Sequence, residues 1–311
     1  MIKLLDTVYS LAPSPQFEKD GICFAACHSG LYRSEDGGLT WHPAYKSLDL
    51  EEPLTTTSVA VSSDFKNDRS VFAGVSGCVL RSFDGGQNWE IVPLPSPPPH
   101  ISSLVVSPYF SHDSILFAGT LEDGVFRSSD RGSHWAAWNF GLLDLNTLCL
   151  VISPDFCNDE TLFLGTDSGI FISTNGGRAW RETNFPSDFA PVISLALSPD
   201  YTSDGVLFAG TEYSGLYYSE DRGRRWTRLG EELITAAVNA IILSPFFPGK
   251  QDVLITLDRA LLISRDGGRS WSPWKDDLDI KQNIISAVAP LGLYPDAPLL
   301  VGYAEEGVHR I

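Results

Sequence analysis

The chain has 311 residues, of which 43% are hydrophobic and 20% charged, a composition typical of a folded soluble protein. Its formal net charge of −17 argues against general binding to nucleic acid or to anionic membranes, because both require a basic surface. The sequence contains no run of about 18 apolar residues, so membrane insertion is not expected.

The chain begins with a short segment, Met1 to Asp6, that contains one lysine and a brief apolar stretch. It has neither the long apolar region nor the small-residue cleavage site of a signal peptide, which predicts a cytoplasmic location. A first apolar strand is predicted directly after it, over Val8–Pro13.

The dominant feature of the sequence is an eight-residue motif, S-x-[DN]-x-G-x-x-W, which occurs six times. The copies occupy residues 34–41, 82–89, 128–135, 173–180, 219–226 and 264–271. Successive tryptophans are 48, 46, 45, 46 and 45 residues apart. Six copies in near-constant register indicate a repeat architecture rather than two ordinary domains, and we expect a single domain over residues 1–311.

Each motif has the chemistry of a tight hairpin. The acidic or amide side chain can accept hydrogen bonds from backbone N–H groups two or three residues further on, and glycine allows a positive φ. The tryptophan then enters the next strand and packs under the turn. The predicted turn acceptors are Asp36, Asp84, Asp130, Asn175, Asp221 and Asp266, and the tryptophans are Trp41, Trp89, Trp135, Trp180, Trp226 and Trp271.

Three further pieces surround each hairpin. An apolar strand ends in Ser-Pro or a similar turn followed by an aromatic residue, and in five of six full units an aspartate follows three residues later, as Asp204 follows Tyr201. A second strand, such as Leu207 to Thr211, and a third strand then lead to the motif and to a fourth strand. Four antiparallel strands per roughly 46 residues predict the blade of a β-propeller, whereas a solenoid would need helices or much shorter periods.

A seventh blade is predicted after the last motif. Strands are expected at residues 284–289, 299–303 and 307–311, and the sequence then ends before another hairpin motif. We therefore expect residues 1–6 to form the outer strand of this blade and to close a ring of seven.

The sequence gives little indication of catalytic or cofactor chemistry. The five cysteines and six histidines have no disulfide or metal-ligand spacing, and no phosphate loop or dinucleotide fingerprint is present. We expect reduced thiols, no cofactor and a monomer, and the sequence leaves a metal site undetermined.

The turns between the second and third strands form a candidate site. They contain seven acidic residues against one formal base, Arg259: Glu122, Asp123, Asp167, Glu212, Asp258, Glu305 and Glu306, with Tyr213 beside Glu212 and His28 in the first blade. The crossovers between blades, which we expect on the same face, add Glu51, Glu52, Asp144, Asp188, Glu231, Glu232, Asp276, Asp277 and Asp279, with aromatic residues Trp138, Phe140, Phe185, Phe189 and Trp274.

Four interpretations of this acidic face remain open. It could bind a basic protein, hold a cation at the channel mouth, or form a sugar groove of carboxylates and aromatic rings. Alternatively, the acids are solvated turn residues and Trp138 and Trp274 pack the outer strands. Catalytic carboxylates of a glycosidase would have to lie about 5–10 Å apart, a spacing that the sequence does not establish.

The six motifs resemble the Asp-box, or BNR-repeat, family, which includes sialidases, xyloglucanases, sortilin-type receptors and the photosystem II assembly factor. The resemblance implies a β-propeller fold. It also implies that the box residues are structural, because these turns occur in enzymes and non-enzymes alike. The sialidase arginine triad, the paired propellers of xyloglucanases and the cysteine-rich module of sortilins have no counterpart here. The leading hypothesis is a non-catalytic scaffold that binds protein through its acidic face, and the alternative is a glycan-binding or glycoside-hydrolysing protein.

Overall fold

The computed structural model describes residues 5–95, 97–189, 191–275 and 278–311. Their strands form seven separate antiparallel sheets. Blade 1 contains β1 (Val8–Pro13), β2 (Cys23–Cys27), β3 (Gly30–Ser34) and β4 (His42–Pro43). Blade 2 contains β5 (Thr56–Val61), β6 (Val71–Val75), β7 (Cys78–Ser82) and β8 (Glu90–Pro93). Blade 3 contains β9 (His100–Val106), β10 (Leu116–Leu121), β11 (Gly124–Ser128) and β12 (Ala136–Ala137).

The remaining blades repeat this order. Blade 4 contains β13 (Thr147–Ile152), β14 (Leu162–Thr166), β15 (Ile170–Ser173) and β16 (Arg181–Glu182). Blade 5 contains β17 (Val192–Leu197), β18 (Leu207–Thr211), β19 (Leu216–Ser219) and β20 (Thr227–Leu229). Blade 6 contains β21 (Ala240–Leu243), β22 (Val253–Leu257), β23 (Ala260–Ser264) and β24 (Ser272–Pro273). Blade 7 contains β25 (Ile284–Val288), β26 (Leu300–Tyr303) and β27 (Val308–Arg310).

The first strands of successive blades contact one another in sequence order, and β25 of the last blade contacts β1 of the first. The seven-bladed propeller predicted from the repeats is therefore confirmed. The sequence predicted plain turns after the first strands, but five of these connections contain a single helical turn. These helices are α1 (Phe17–Asp20), α2 (Phe65–Asp68), α3 (Phe110–Asp113), α4 (Phe156–Asp159) and α5 (Tyr201–Asp204), and short 3-10 turns occur at Lys46–Leu48 and Ser187–Phe189.

The core lies between blades. In a repeating contact, the phenylalanine of a second strand packs edge-to-face on the helix-turn aromatic of the next blade. The pairs are Phe24–Phe65, Phe72–Phe110, Phe117–Phe156 and Phe163–Tyr201, with ring centroids 5.3–6.4 Å apart. Each buried aromatic side chain contributes roughly 1.5–3 kcal/mol relative to an exposed one. Neighbouring blades therefore stabilise each other, as expected when one sheet cannot bury both its faces alone.

The glycine at the fifth motif position of blade 2 is required by the same packing. Gly86 has a φ of +85°, and a Cβ atom added to it would lie 2.7 Å from the Phe24 ring of the preceding blade. Any larger residue would therefore combine an unfavourable backbone conformation with a clash against the interblade core.

Described residues at both ends of the chain connect the last blade to the first. Asp6 O accepts a hydrogen bond from Gly307 N (3.0 Å), and Ser286 Oγ donates to Val8 O (2.9 Å). The first of these bonds agrees with an outer strand donated by the N-terminus. Residues 1–4, however, lie outside the described residues, so the completion of blade 7 by residues 1–6 stays a prediction.

Candidate functional site

The ring has two faces, which the loops divide as the sequence predicted. The Asp-box hairpins lie beside the connections between first and second strands, since Gly37 N donates to Gly21 O (2.9 Å). We call this side the Asp-box face. The turns between second and third strands lie with the crossovers at the opposite ends of the strands, since Gly124 N donates to Leu145 O (2.9 Å) and Thr55 Oγ1 to His28 O (2.8 Å). We call that side the acidic face.

The Asp-box carboxylates are fully engaged by their own turns. Asp36 Oδ1 accepts from Leu39 N (3.1 Å), Thr40 N (2.9 Å) and Ser34 Oγ (2.9 Å), and its Oδ2 accepts from Thr40 Oγ1 (2.6 Å). The backbone donors lie three and four residues after the aspartate, one residue further than the sequence predicted. Desolvation alone raises the pKa of Asp36, but these hydrogen bonds outweigh it and lower the pKa to about 2.

Asn175 preserves the turn, as predicted. Its Oδ1 accepts from Ala179 N and Ser173 Oγ at 2.9 and 3.0 Å. Three of the box tryptophans also bond within their own hairpins: Trp89 Nε1 donates to Gly86 O, Trp226 Nε1 to Gly223 O and Trp271 Nε1 to Gly268 O. The box residues therefore stabilise local structure, and we assign them no role in binding.

The aspartates of the first-to-second-strand connections are structural in the same way. Asp20 accepts from Ser14 Oγ (2.7 Å) and from Ile22 N (2.9 Å), which joins the two ends of its helical turn. The same serine–aspartate bond recurs as Ser62–Asp68, Ser107–Asp113, Ser153–Asp159 and Ser198–Asp204. This pairing at a spacing of six residues was readable from the sequence but was not identified there.

On the acidic face, the structure brings the candidate residues of blades 3 and 4 together. Asn146, in the crossover between them, accepts from Glu122 N through Oδ1 (2.9 Å) and donates through Nδ2 to Asp167 Oδ2 (2.6 Å). Asp144 fixes the same crossover, since its carboxylate accepts from Asn146 N (3.0 Å) and Ser168 N (2.9 Å). Desolvation raises the pKa of Asp144, but the hydrogen bonds from Asn146, Ser168 and Thr166 prevail and lower it.

Blade 5 presents Glu212 and Tyr213. The Tyr213 hydroxyl donates to Glu212 Oε1 (2.7 Å), while 69% of the tyrosine is exposed. This hydrogen bond, together with the charge of Glu212, raises the pKa of Tyr213. The pair offers an aromatic surface with a carboxylate beside it.

The other candidate residues are spread around the rim. The single base Arg259 donates to Asn283 Oδ1 (3.1 Å), while Asp258 is exposed beside it. In blade 7, Glu305 is exposed and Glu306 Oε2 lies 3.7 Å from His309 Nε2.

The two remaining candidates of the turns are His28 in blade 1 and Asp123 in blade 3. His28 is exposed and its Nδ1 lies 3.5 Å from the Tyr9 hydroxyl. Asp123 is half-buried, and its backbone carbonyl accepts from Asn139 Nδ2 (2.8 Å). Asp276 and Asp277, predicted in the crossover after blade 6, lie outside the described residues.

The sequence missed Asp6 as part of this face. Its Oδ2 accepts from both Ser29 N (2.8 Å) and Ser29 Oγ, which links the N-terminal segment to the second-to-third-strand turn of blade 1. The link joins residues 23 positions apart in the sequence, and no local pattern marks it.

The aromatic residues of the crossovers differ in their exposure. Phe185 and Phe189 pack on Tyr217, and Trp138 lies under the Arg127 guanidinium, so these rings belong to the core or the outer strands. Phe140, by contrast, is 80% exposed. Exposed leucines that the sequence did not single out accompany it in the turns and crossovers: Leu50, Leu121, Leu143, Leu145 and Leu233.

A cavity of about 470 Å³ opens on this face at the crossover of blade 1, and Tyr45, Leu50, Glu51 and Glu52 line it. None of the second-to-third-strand turn acids lines that cavity. Among the described residues, no group of three or more His, Cys, Asp or Glu side chains is placed to hold a metal ion. All five cysteines are free thiols. No helix in the described ranges has the length and apolar character needed to cross a membrane.

Two family profiles match parts of the chain. The profile of the photosynthesis system II assembly factor YCF48 matches residues 16–139, and that of sortilin, neurotensin receptor 3, matches residues 123–240. Each covers less than half of the chain. No protein of curated function matches it significantly in sequence.

Solved structures with the same fold include both enzymes and an assembly factor. YCF48 bound to a D1 peptide superposes with a TM-score of 0.73 at 20% identity, covering 99% of this chain and 95% of that one. GH74 xyloglucanase from Xanthomonas campestris gives a TM-score of 0.75 at 17% identity, and the GH74 enzyme of Niastella koreensis gives 0.79 at 16%. This chain spans 52% of the length of each GH74 protein. At such identities the similarity establishes the fold alone, and with the boxes it confirms the resemblance to Asp-box propellers.

Proposed function

We propose that this chain, a seven-bladed Asp-box β-propeller, is a non-catalytic interaction scaffold whose acidic face binds a basic segment of a partner protein. The observation that carries the proposal is the arrangement of blades 3 to 5. There, Asn146 fixes the turns that present Glu122 and Asp167, and Tyr213 is exposed beside Glu212. A fixed array of carboxylates attracts a cationic partner with little further loss of conformational entropy on binding.

Exposed apolar side chains near these carboxylates supply the second component of a protein interface. Leu121 adjoins Glu122 in the turn of blade 3, and Leu143 and Leu145 lie in the crossover that Asp144 and Asn146 fix. A partner segment that combines lysine or arginine with aliphatic residues would match both features. The YCF48 structure gives a precedent, since a propeller of similar length is there bound to a peptide.

A glycan-binding or glycoside-hydrolysing function is the second candidate. It is favoured by the exposed Tyr213 ring beside the Glu212 carboxylate, a combination suited to stacking on a sugar. It is also favoured by the fold similarity to GH74 enzymes, one of which is a xyloglucanase. The GH74 proteins are about twice as long as this chain, so their activity enters here as a proposal only.

The two candidates are tested with one triple variant, Glu122→Gln/Asp167→Asn/Glu212→Gln. The matched control is Glu18→Gln/Glu220→Gln/Asp296→Asn, which removes the same formal charge from exposed positions elsewhere on the protein. The wild type and both variants are applied to an array of peptides of graded basic and aliphatic content, at low and high salt.

The scaffold proposal expects basic aliphatic peptides to be retained by the wild type and by the control, with at least about tenfold weaker retention by the test variant and at high salt. Equal retention by all three proteins, or retention of no basic peptide, would refute it. Hydrolysis of aryl-glycosides or xyloglucan by the wild type, abolished in the test variant, would instead establish the enzymatic alternative.

A further inference from the structure

A second candidate binding site lies on the opposite, Asp-box face, in the groove between blades 4 and 5. The groove encloses about 280 Å³, and the residues that define it are Ile172, Arg181, Asn184, Tyr201, Arg222 and Arg224. We call it the blade 4–5 groove. Its three arginines are unexpected in a chain with a formal charge of −17.

This groove lacks one interblade contact that is present at blade 2. The residue before the box serine is arginine in blades 1 to 3, at Arg33, Arg81 and Arg127. Arg81 reaches into the groove towards blade 3, where its Nη1 donates to Arg131 O (3.2 Å) and to Ser133 Oγ. Blade 4 has Ile172 at this position, and a side chain of that length cannot make the same reach.

The arginines that surround the open groove retain unused donors. Within the described parts of the chain, the guanidinium groups of Arg181 and Arg224 make no hydrogen bond to the protein and no ion pair. Arg222 uses Nη2 to donate to Thr202 O (2.6 Å) and has further N–H groups available. By contrast, the neighbouring Arg225 is paired with Asp221 (2.7 Å).

Tyr201 adds a buried hydroxyl without a partner. Blades 1 to 4 place phenylalanine at this position, so the hydroxyl is not needed for the interblade packing of the ring. Tyr201 is only 2% exposed, and among the described residues its hydroxyl oxygen has no hydrogen-bond partner. Burial raises the pKa of Tyr201, which keeps the hydroxyl protonated and able to donate.

The groove also contains two acidic residues, which do not cancel its charge. The Asp159 carboxylate is already engaged, because it accepts from Ser153 Oγ (2.6 Å) and Thr161 N (2.9 Å). Glu182 is exposed at the edge on β16. The groove lining therefore has three guanidinium groups against two carboxylates, one of which already accepts hydrogen bonds from the protein.

From this geometry we propose that the blade 4–5 groove binds a phosphate group, and the experiment below distinguishes the free ion from an organic phosphate. Guanidinium groups bind tetrahedral oxyanions through paired N–H donors, and several such groups around one cavity match an anion with three accessible oxygen atoms. The Tyr201 hydroxyl would gain a hydrogen bond on binding, which removes an otherwise unfavourable buried polar group. The volume exceeds that of phosphate alone and leaves room for a small organic substituent.

The experiment is titration calorimetry of the full-length protein with inorganic phosphate, and in parallel with ribose 5-phosphate, at low ionic strength. The variants are Tyr201→Phe, which restores the residue of blades 1 to 4, and Arg181→Gln/Arg224→Gln. The matched control is Arg225→Gln, in the same hairpin but paired with Asp221.

We expect binding that weakens by about tenfold in Tyr201→Phe and more strongly in the double arginine variant, with little change in Arg225→Gln. Tighter binding of ribose 5-phosphate than of phosphate would identify an organic phosphate as the preferred source, and equal affinity would identify the free ion. Absence of heat for both ligands, or equal affinities in all variants, which indicates an adventitious ion only, would overturn the proposal. Because this groove and the acidic face lie on opposite sides of the ring, neither result bears on the scaffold function.

Discussion

Replacing Asp84 in the box of blade 2 separates the two contributions that each box aspartate makes. Asp84 Oδ1 accepts from Gln87 N (3.0 Å), Asn88 N (2.9 Å) and Ser82 Oγ (2.8 Å), while Oδ2 accepts from Asn88 Nδ2 (2.7 Å). Asp84→Ala removes all four bonds, but Gln87 and Asn88 are exposed and their donors regain water. Because each of these hydrogen bonds contributes a net stability near the lower end of the usual range, we expect the free energy of unfolding to fall by about 2–3 kcal/mol.

Asp84→Asn should be milder, because Asn175 in blade 4 shows that an amide oxygen preserves the backbone bonds. It loses the charge and the Oδ2 acceptor opposite Asn88, for an expected cost of about 1 kcal/mol. The same charge determines the acid response. Desolvation alone raises the pKa of Asp84, but the bonds from Asn88, Ser82 and Gln87 prevail and lower it to about 2.

Because folding lowers the pKa of Asp84, its charge stabilises the folded protein at any pH above the pKa of the unfolded state, which is near 4. This stabilisation is lost as the pH falls from about 4 to about 2. The full shift would correspond to roughly 2.5 kcal/mol, but the group is largely exposed and solvent screening reduces this to about 1 kcal/mol. Urea unfolding monitored by tryptophan fluorescence at pH 7 and pH 3 measures both effects. Equal stabilities of the two variants at pH 7, or an acid response of Asp84→Asn as steep as that of the wild type, would refute the reasoning.

The remaining predictions concern closure of the ring. Deleting residues 2–6 should lower the thermal midpoint sharply, because Asp6 O accepts a hydrogen bond from Gly307 and the Asp6 carboxylate accepts one from Ser29. An unchanged melting curve would contradict closure by the N-terminus. Ser286→Ala should cost about 1 kcal/mol in urea unfolding, because Ser286 Oγ bonds Val8 O of the first blade. Its control is Ser58→Ala at the same position of blade 2, where Oγ has no partner among the described residues and little change is expected.

Much of the architecture was predictable because the information is local. Each hairpin motif combines an acceptor, a glycine and a tryptophan within eight residues. Six copies in near-constant register indicate six blades in order, and the three strands predicted after the last copy indicate the seventh. The first strand, Val8–Pro13, was predicted with its observed bounds for the same reason. The helical turns were missed because an isolated four-residue turn such as Phe17–Asp20 carries no periodic signal.

The candidate sites were less predictable because they depend on contacts between blades. The sequence indicated that Glu122 and Asp167 share a face, but not that Asn146 joins them, since the three residues belong to a turn, a crossover and another turn. Phe140 and Phe185 looked equivalent as aromatic residues in crossovers, yet one is exposed and the other buried against Tyr217. Only the three-dimensional placement of the crossovers distinguishes them.

The hydrogen bonding of the two faces suggests why binding is expected at some positions of this ring and not at others. Changing a box residue such as Asp36 breaks a turn, because its oxygen atoms accept from the backbone and from Ser34 and Thr40. Glu122 is different, because its backbone N–H donates the structural hydrogen bond to Asn146. Its side chain can therefore be replaced without loss of that bond. Ile172 represents a third case, because it cannot make the bridge that Arg81 makes from blade 2 to blade 3, and the Tyr201 hydroxyl in the same groove is buried without a partner among the described residues. Repetition stabilises the ring through many equivalent contacts, so single departures from the repeat can create binding surfaces at small cost in stability.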